Sequence, residues 1–194
     1  MSAESLHASA SSILGAWNAP DLEQDSLRHT YRAFVDATPQ ACLRACAAGH
    51  LTGSAIVFDA ALSHVLLTLH PRVGKWVQLG GHCEETDETL GDAAAREAAE
   101  ESGIADLRLT AGPVHLHTHP ITCSLGVPTR HLDVRYAAVA PSAGTELPQI
   151  VRSSESVDLA WWPIDALPAD TDAETIPTLI RHGLAACRAE GLGR

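Results

Sequence analysis

Apolar residues in the first fifty positions recur at helical spacing. Leu6, Ala10, Ile13, Leu14 and Trp17 stand at i, i+4, i+7, i+8 and i+11, which predicts an amphipathic helix. Asn18-Ala19-Pro20-Asp21 interrupts it, and Leu27, Tyr31, Phe34 and Val35 form a second stripe. Thr38-Pro39 opens a third, short helix ending near Gly49. From Leu51 the period shortens to that of strands. Residues 54–58 and 64–69 read as two strands around a loop at 59–63, and 75–79 as a short strand running into a tight turn at Gly80-Gly81. Further strands are predicted at 107–109, 114–119, 131–139 and 158–162. A last helix over 172–189 carries Ile176, Leu179, Ile180, Leu184 and Cys187 on one stripe. Residues 141–148 are loop-like, and no internal repeat occurs.

The stretch between the glycine pair and residue 104 departs from simple amphipathicity. Thr89 offers a helix N-cap with Asp92 three residues on, alanines at 93, 94, 95, 98 and 99 favour helix, and Gly103 supplies a C-cap. On that helix Glu97, Glu100 and Glu101 stand at i, i+3 and i+4, so their side chains share one face. Like charges so placed cost an isolated helix roughly 0.2–0.5 kcal/mol per pair. A solvated helix face is one reading. The ordered flanks favour another, in which hard carboxylate oxygens hold a divalent cation such as magnesium or manganese.

The segment 81–104 resembles the Nudix box, in which Gly, five residues, Glu and seven residues precede Arg-Glu-apolar-x-Glu-Glu-x-Gly-apolar. Glu88, Arg96, Glu97, Ala98, Glu100, Glu101, Gly103 and Ile104 match. Six residues separate Gly81 from Glu88, one more than in the pattern, and Leu79 stands where many members carry proline. The resemblance implies an α/β fold, a Nudix-like α/β/α sandwich with a mixed β-sheet, at 51–194, with 1–50 as an N-terminal helical extension packed on that core. It implies metal ligation by Glu97, Glu100 and Glu101 with a carbonyl near Gly81, and an Arg96 that fixes a carboxylate. Glu88 would brace the loop or help bind the metal. Family members also place a glutamate before a Trp-containing strand, and Glu155 matches as a ligand or general base; Glu100, Glu101, Arg96 and Glu155 are thus the catalytic candidates. Pro120 lies at an offset resembling that of ADP-ribose-cleaving members, although a proline that merely ends its strand fits as well.

The implied activity is Mg²⁺-dependent (or Mn²⁺-dependent) hydrolysis of a diphosphate linkage in a nucleoside diphosphate joined to another moiety. A catalytically silent domain that binds a nucleotide-like ligand as a sensor is the alternative. An isomerase using Cys83 or Cys123 with a glutamate is a third. The charge of −11 disfavours nucleic acid as a partner. No apolar stretch approaches a membrane span and no signal-like N-terminus precedes the helices, so a cytoplasmic protein and a small-molecule diphosphate partner are expected, with a homodimer possible. The five scattered cysteines read as reduced thiols: Cys42 and Cys46 as packing residues, Cys83 as a loop filler.

His115, His117 and His119 alternate on one face of a strand, as do His131, Asp133 and Arg135. Alternate strand positions lie about 6.5 Å apart along a line, which is too linear for a zinc tripod. A polar face lining a substrate cleft is a better reading than zinc, with simple solvent exposure the alternative, and on it His119, His131 and Arg135 are the substrate-binding candidates. Arg135 would meet phosphate through its planar fork or pair internally with Asp133.

Overall fold

A computed structural model of the chain describes residues 3–122 and 126–193. Its helices are α1 (Ala3–Ala16), α2 (Leu22–Ala37), α3 (Leu90–Ser102) and α4 (Ile176–Ala189). Its strands are β1 (His50–Phe58), β2 (His64–Leu69), β3 (Trp76–Val77), β4 (Leu79–His82), β5 (Arg108–Leu109), β6 (His115–Thr122), β7 (Pro128–Val139) and β8 (Asp158–Pro163).

The two N-terminal stripes become α1 and α2, and Asp21 caps α2 by accepting from the Gln24 N–H at 2.9 Å. The third expected helix does not form. Successive turns occupy its place, with the N–H groups of Ala41, Leu43, Cys46 and Gly49 each bonded three residues back. The Leu51 N–H reaches the Ala41 carbonyl at 2.7 Å, so the segment doubles back to feed β1.

β1 is the spine of a mixed sheet. It runs parallel to β7 from His50↔His131 to Phe58↔Val139, antiparallel to β4 at its start and to β2 at its end. β3 and β8 pair with β2, and β5 and β6 pair with β7. Every residue of β1 is buried, because both of its faces are covered. Ile56 and Phe58 pack with Ile176 and Leu179 of α4, whereas Ala55 and Val57 pack with Ala98 of α3. That is an α/β/α sandwich. α1 and α2 complete one layer: Leu6, Leu14, Tyr31 and Val35 share a buried cluster with Leu51, Leu90, Ala93, Leu116 and Tyr136.

Two local expectations change. Gly80-Gly81 is no turn; both residues lie within β4 opposite Ser54 and Gly53 of β1. Pro120 does not end its strand, because β6 continues to Thr122 with Pro120 opposite Arg130. Among the described residues β6 pairs with β7 alone, so no strand on its other edge calls for the N–H that a proline lacks.

Candidate active site

α3 begins in a complete capping box. The Thr89 side chain accepts from the Asp92 N–H at 3.0 Å, and the Asp92 carboxylate accepts from the Thr89 N–H at 3.0 Å. Gly103 ends the helix at φ 69°. Fixed at both ends, α3 carries Glu97, Glu100 and Glu101 to β4. The Glu101 carboxylate accepts from the Gly80 N–H at 3.1 Å. A Cβ on Gly81 would come within 2.6 Å of the Glu97 carboxyl, so only glycine leaves that carboxylate its place.

These carboxylates differ in their surroundings. Glu100 is exposed, Glu97 half-buried and Glu101 buried. Burial pushes Glu101 up from 4.5 to about 7, against the Gly80 N–H bond, and the charges of Glu97, Glu155 and Glu100 push the same way. Burial likewise raises Glu97, offset in part by Arg96. Three carboxylates gathered on one helix face, beside the backbone of β4, suit a hard divalent cation. The donor set therefore fits Mg²⁺ or Mn²⁺.

Arg96 organises the loop before α3. Its Nε and Nη2 donate to the two oxygens of Asp87 at 3.0 Å each, and Nη2 also reaches the His82 carbonyl at 2.9 Å. Its Nη1 donates to Glu97 at 3.1 Å and to Glu100 at 3.3 Å. Glu88, expected to brace the loop or bind metal, is instead exposed; buried Asp87 is the brace. Five residues separate Gly81 from Asp87, so the box spacing is met by an aspartate one position early, with the extra residue following it. That regular spacing was the available signal for Asp87.

A cleft of about 1110 Å³ opens beside the carboxylates, lined also by His119, His131, Arg135 and Glu155. The structure thus brings Gly81, Arg96, Glu97, Glu100, Glu101, His119, His131, Arg135 and Glu155 to one cleft, and leaves Glu88 outside it. Glu155 stands exposed on the loop before β8, near enough for its charge to act on Glu97 and Glu101. The cleft floor is a buried network around Asp133. Thr52, Ser54 and Gln78 donate to its carboxylate at 3.0, 2.9 and 3.1 Å, and Arg135 Nε does so at 2.7 Å. Burial opposes the Asp133 charge, yet Arg135 and the Ser54 hydroxyl hold the carboxyl below its ordinary value. Arg135 is only 3% exposed and spends Nε on Asp133 and Nη2 on His117 at 3.1 Å, while its Nη1 has no hydrogen-bond partner among the described residues.

His117 and His119 stack at 5.4 Å in the cleft, while His115 turns away against His182 at 5.6 Å. Sequence reasoning passed over His50 and His82, which meet His131 across three strands. Isolated histidines on separate strands leave no mark in the sequence. Cys83 is buried, its thiol points at the Leu51 carbonyl at 3.8 Å, and burial pushes it up, which suits packing and opposes a nucleophile. Cys42 and Cys46 are buried as packing residues, and Cys123 lies outside the described residues. Among the described residues no helix is long and apolar enough to cross a membrane.

Comparison with known proteins agrees with this architecture. The family model described as a NUDIX domain matches residues 50–182. The fold is similar to that of a NUDIX-family hydrolase from Clostridium perfringens, at 23% identity over 70% of this chain and 97% of that one, with a TM-score of 0.53. It is also similar to the E. coli dihydroneopterin triphosphate pyrophosphohydrolase, at 22% identity over 68% of this chain and 92% of that one, with a TM-score of 0.52. No curated protein matches the chain.

Proposed function

The chain belongs to the Nudix family, and on that premise we propose that it is a Mg²⁺-dependent hydrolase cleaving a diphosphate linkage in a nucleoside diphosphate joined to another moiety. One observation carries the reading: Glu97, Glu100 and Glu101 converge with the Gly80-Gly81 backbone at the wall of one cleft. Glu97, Glu100, Glu101 and the Gly81 carbonyl would hold the cation. When bound there, it neutralises the diphosphate and acidifies a water.

The protein's own groups do the rest. Arg96, anchored by Asp87, fixes Glu97 and Glu100 through Nη1, so the carboxylates are oriented before substrate arrives. Glu101 is held by the Gly80 N–H, which commits it to the cation. Glu155 is exposed across the cleft, untied by such a bond, and takes the proton of the attacking water. His119 and His131 line the path of the second moiety, and Arg135 supports them by ordering the Asp133 floor.

The test is phosphate release from nucleoside triphosphates, nucleotide sugars, dinucleotides and ADP-ribose-like compounds with Mg²⁺, with and without phosphatase coupling. Glu100 is exposed, so Glu100→Gln is expected to cut turnover by about 100-fold or more while the melting temperature stays put. Full activity in that variant sinks the assignment. Tight binding across the panel without turnover would instead indicate a sensor.

A further inference from the structure

His50, His82 and His131 stand where three strands meet. His50 opens β1 opposite His131 of β7, and His82 closes β4 opposite Thr52, two residues along β1. Their ring centres form a nearly equilateral triangle with sides of 5.2, 4.9 and 5.1 Å. One ring nitrogen from each lies within 4.8 Å of those of the other two. A tetrahedral zinc tripod with Zn–N of about 2.05 Å, and ring centres about 1.15 Å beyond the nitrogens, requires ring centres about 5.2 Å apart. The rings already hold that spacing. Rotation about the Cβ–Cγ bonds, whose axes pass close to the ring centres, can bring the nitrogens to the roughly 3.4 Å separation that the same tripod needs.

The polar groups around the trio point the same way. His50 is 1% exposed, and its Nδ1 donates to the Cys46 carbonyl at 3.3 Å, which leaves the lone pair on Nε2. That Nε2 is buried with no hydrogen-bond partner among the described residues, and so is Nε2 of His131. A buried, unpartnered acceptor is costly, and a carbonyl that fixes the tautomer is the usual second partner of a metal-ligating histidine. The His82 backbone is itself braced, since its carbonyl accepts from Arg96.

We propose that His50, His82 and His131 form a second metal site, selective for an imidazole-preferring divalent ion such as Zn²⁺, with its fourth position open to an anionic oxygen. Three neutral imidazoles leave the ion its full charge, and they suit Zn²⁺ far better than Mg²⁺. Arg44 is close enough to act on all three rings, and it lines the cleft together with His82 and His131. A phosphate oxygen entering the cleft would meet both charges. Whatever activity the box carboxylates have, zinc binding at the trio stands or falls separately.

The experiment is Zn²⁺ titration of the metal-stripped full chain in excess Mg²⁺, followed by Co²⁺ substitution. One Zn²⁺ per chain is expected, with an intense visible Co²⁺ spectrum of tetrahedral type. His131→Gln and His82→Asn should each weaken Zn²⁺ by about 100-fold or more, whereas Glu100→Gln should bind it as the unaltered chain does. The spectrum of the unaltered chain keeps the test valid if a histidine variant fails to fold. Less than one equivalent of zinc, a weak octahedral Co²⁺ spectrum, or zinc lost in Glu100→Gln but retained in His131→Gln would overturn the proposal.

Discussion

Arg96 meets Asp87 through two parallel hydrogen bonds, a geometry that fixes both side chains at once. Asp87 is 5% exposed, so neutralising it leaves a guanidinium facing a partner that no longer matches its charge. Asp87→Asn is expected to destabilise the fold by about 3 kcal/mol. Glu88→Gln, at the exposed neighbouring position, should change it by less than about 0.5 kcal/mol. Urea unfolding of the two variants checks the difference, and the reverse ranking would return the brace to Glu88. Glu101 gives the metal-free protein one pH-dependent contribution to its stability. Its carboxyl sits near 7 when folded against an ordinary 4.5, so between those values the native state keeps a proton that the unfolded chain has released. The Glu101 contribution to stability therefore falls as pH rises through that window, by on the order of 3 kcal/mol. It opposes the contribution of His82, His115, His117 and His131, which burial lowers and which favours the fold as pH rises. Glu101→Gln has no such loss. Melting curves without metal should show the variant gaining on the unaltered chain from pH 4.5 to 7 and holding its lead above. A constant difference across that range contradicts the assignment.

At the scale of elements, the edge strand β6 is closed by a side chain. Gln24 of α2 accepts from the Leu116 N–H at 2.6 Å and donates to the Leu116 carbonyl at 3.2 Å, as a neighbouring strand would. Tyr31, two turns along α2, donates to the His117 carbonyl at 2.7 Å. Thus α2 covers the β6 edge as well as burying its apolar stripe. Gln24→Ala strands two buried backbone groups and should cost about 2 kcal/mol, with faster hydrogen exchange at the Leu116 N–H. Unchanged exchange there would show that the contact contributes nothing. None of this follows from periodicity. The stripes at Leu6 and Leu27 were legible because 3.6-residue spacing encodes which face is buried. The misread helix at 39–49 and the misread turn at Gly80-Gly81 were both decided by partners: Leu51 on Ala41 in one case, β1 along β4 in the other.

For the molecule as a whole, α1 and α2 close the cluster that β1, α3, β6 and β7 leave open. Residues 1–37 removed, Leu51, Leu90, Leu116 and Tyr136 would lose their cover. We expect the truncated chain to show no cooperative transition by calorimetry where the full chain shows one. An unchanged melting temperature would make the helices a dispensable extension. The sequence by itself determined the carboxylate helix, its caps and the period of most elements, because short-range spacing decides those. It also placed Glu97, Glu100 and Glu101 together, since one helix face collects them without help from the fold. Tertiary structure alone decided that Asp87 rather than Glu88 meets Arg96, that Arg135 turns inward to Asp133, and that His50, His82 and His131 converge. Each of these depends on strand register and burial across long stretches of chain, and pairing between distant segments leaves no periodic trace in the sequence.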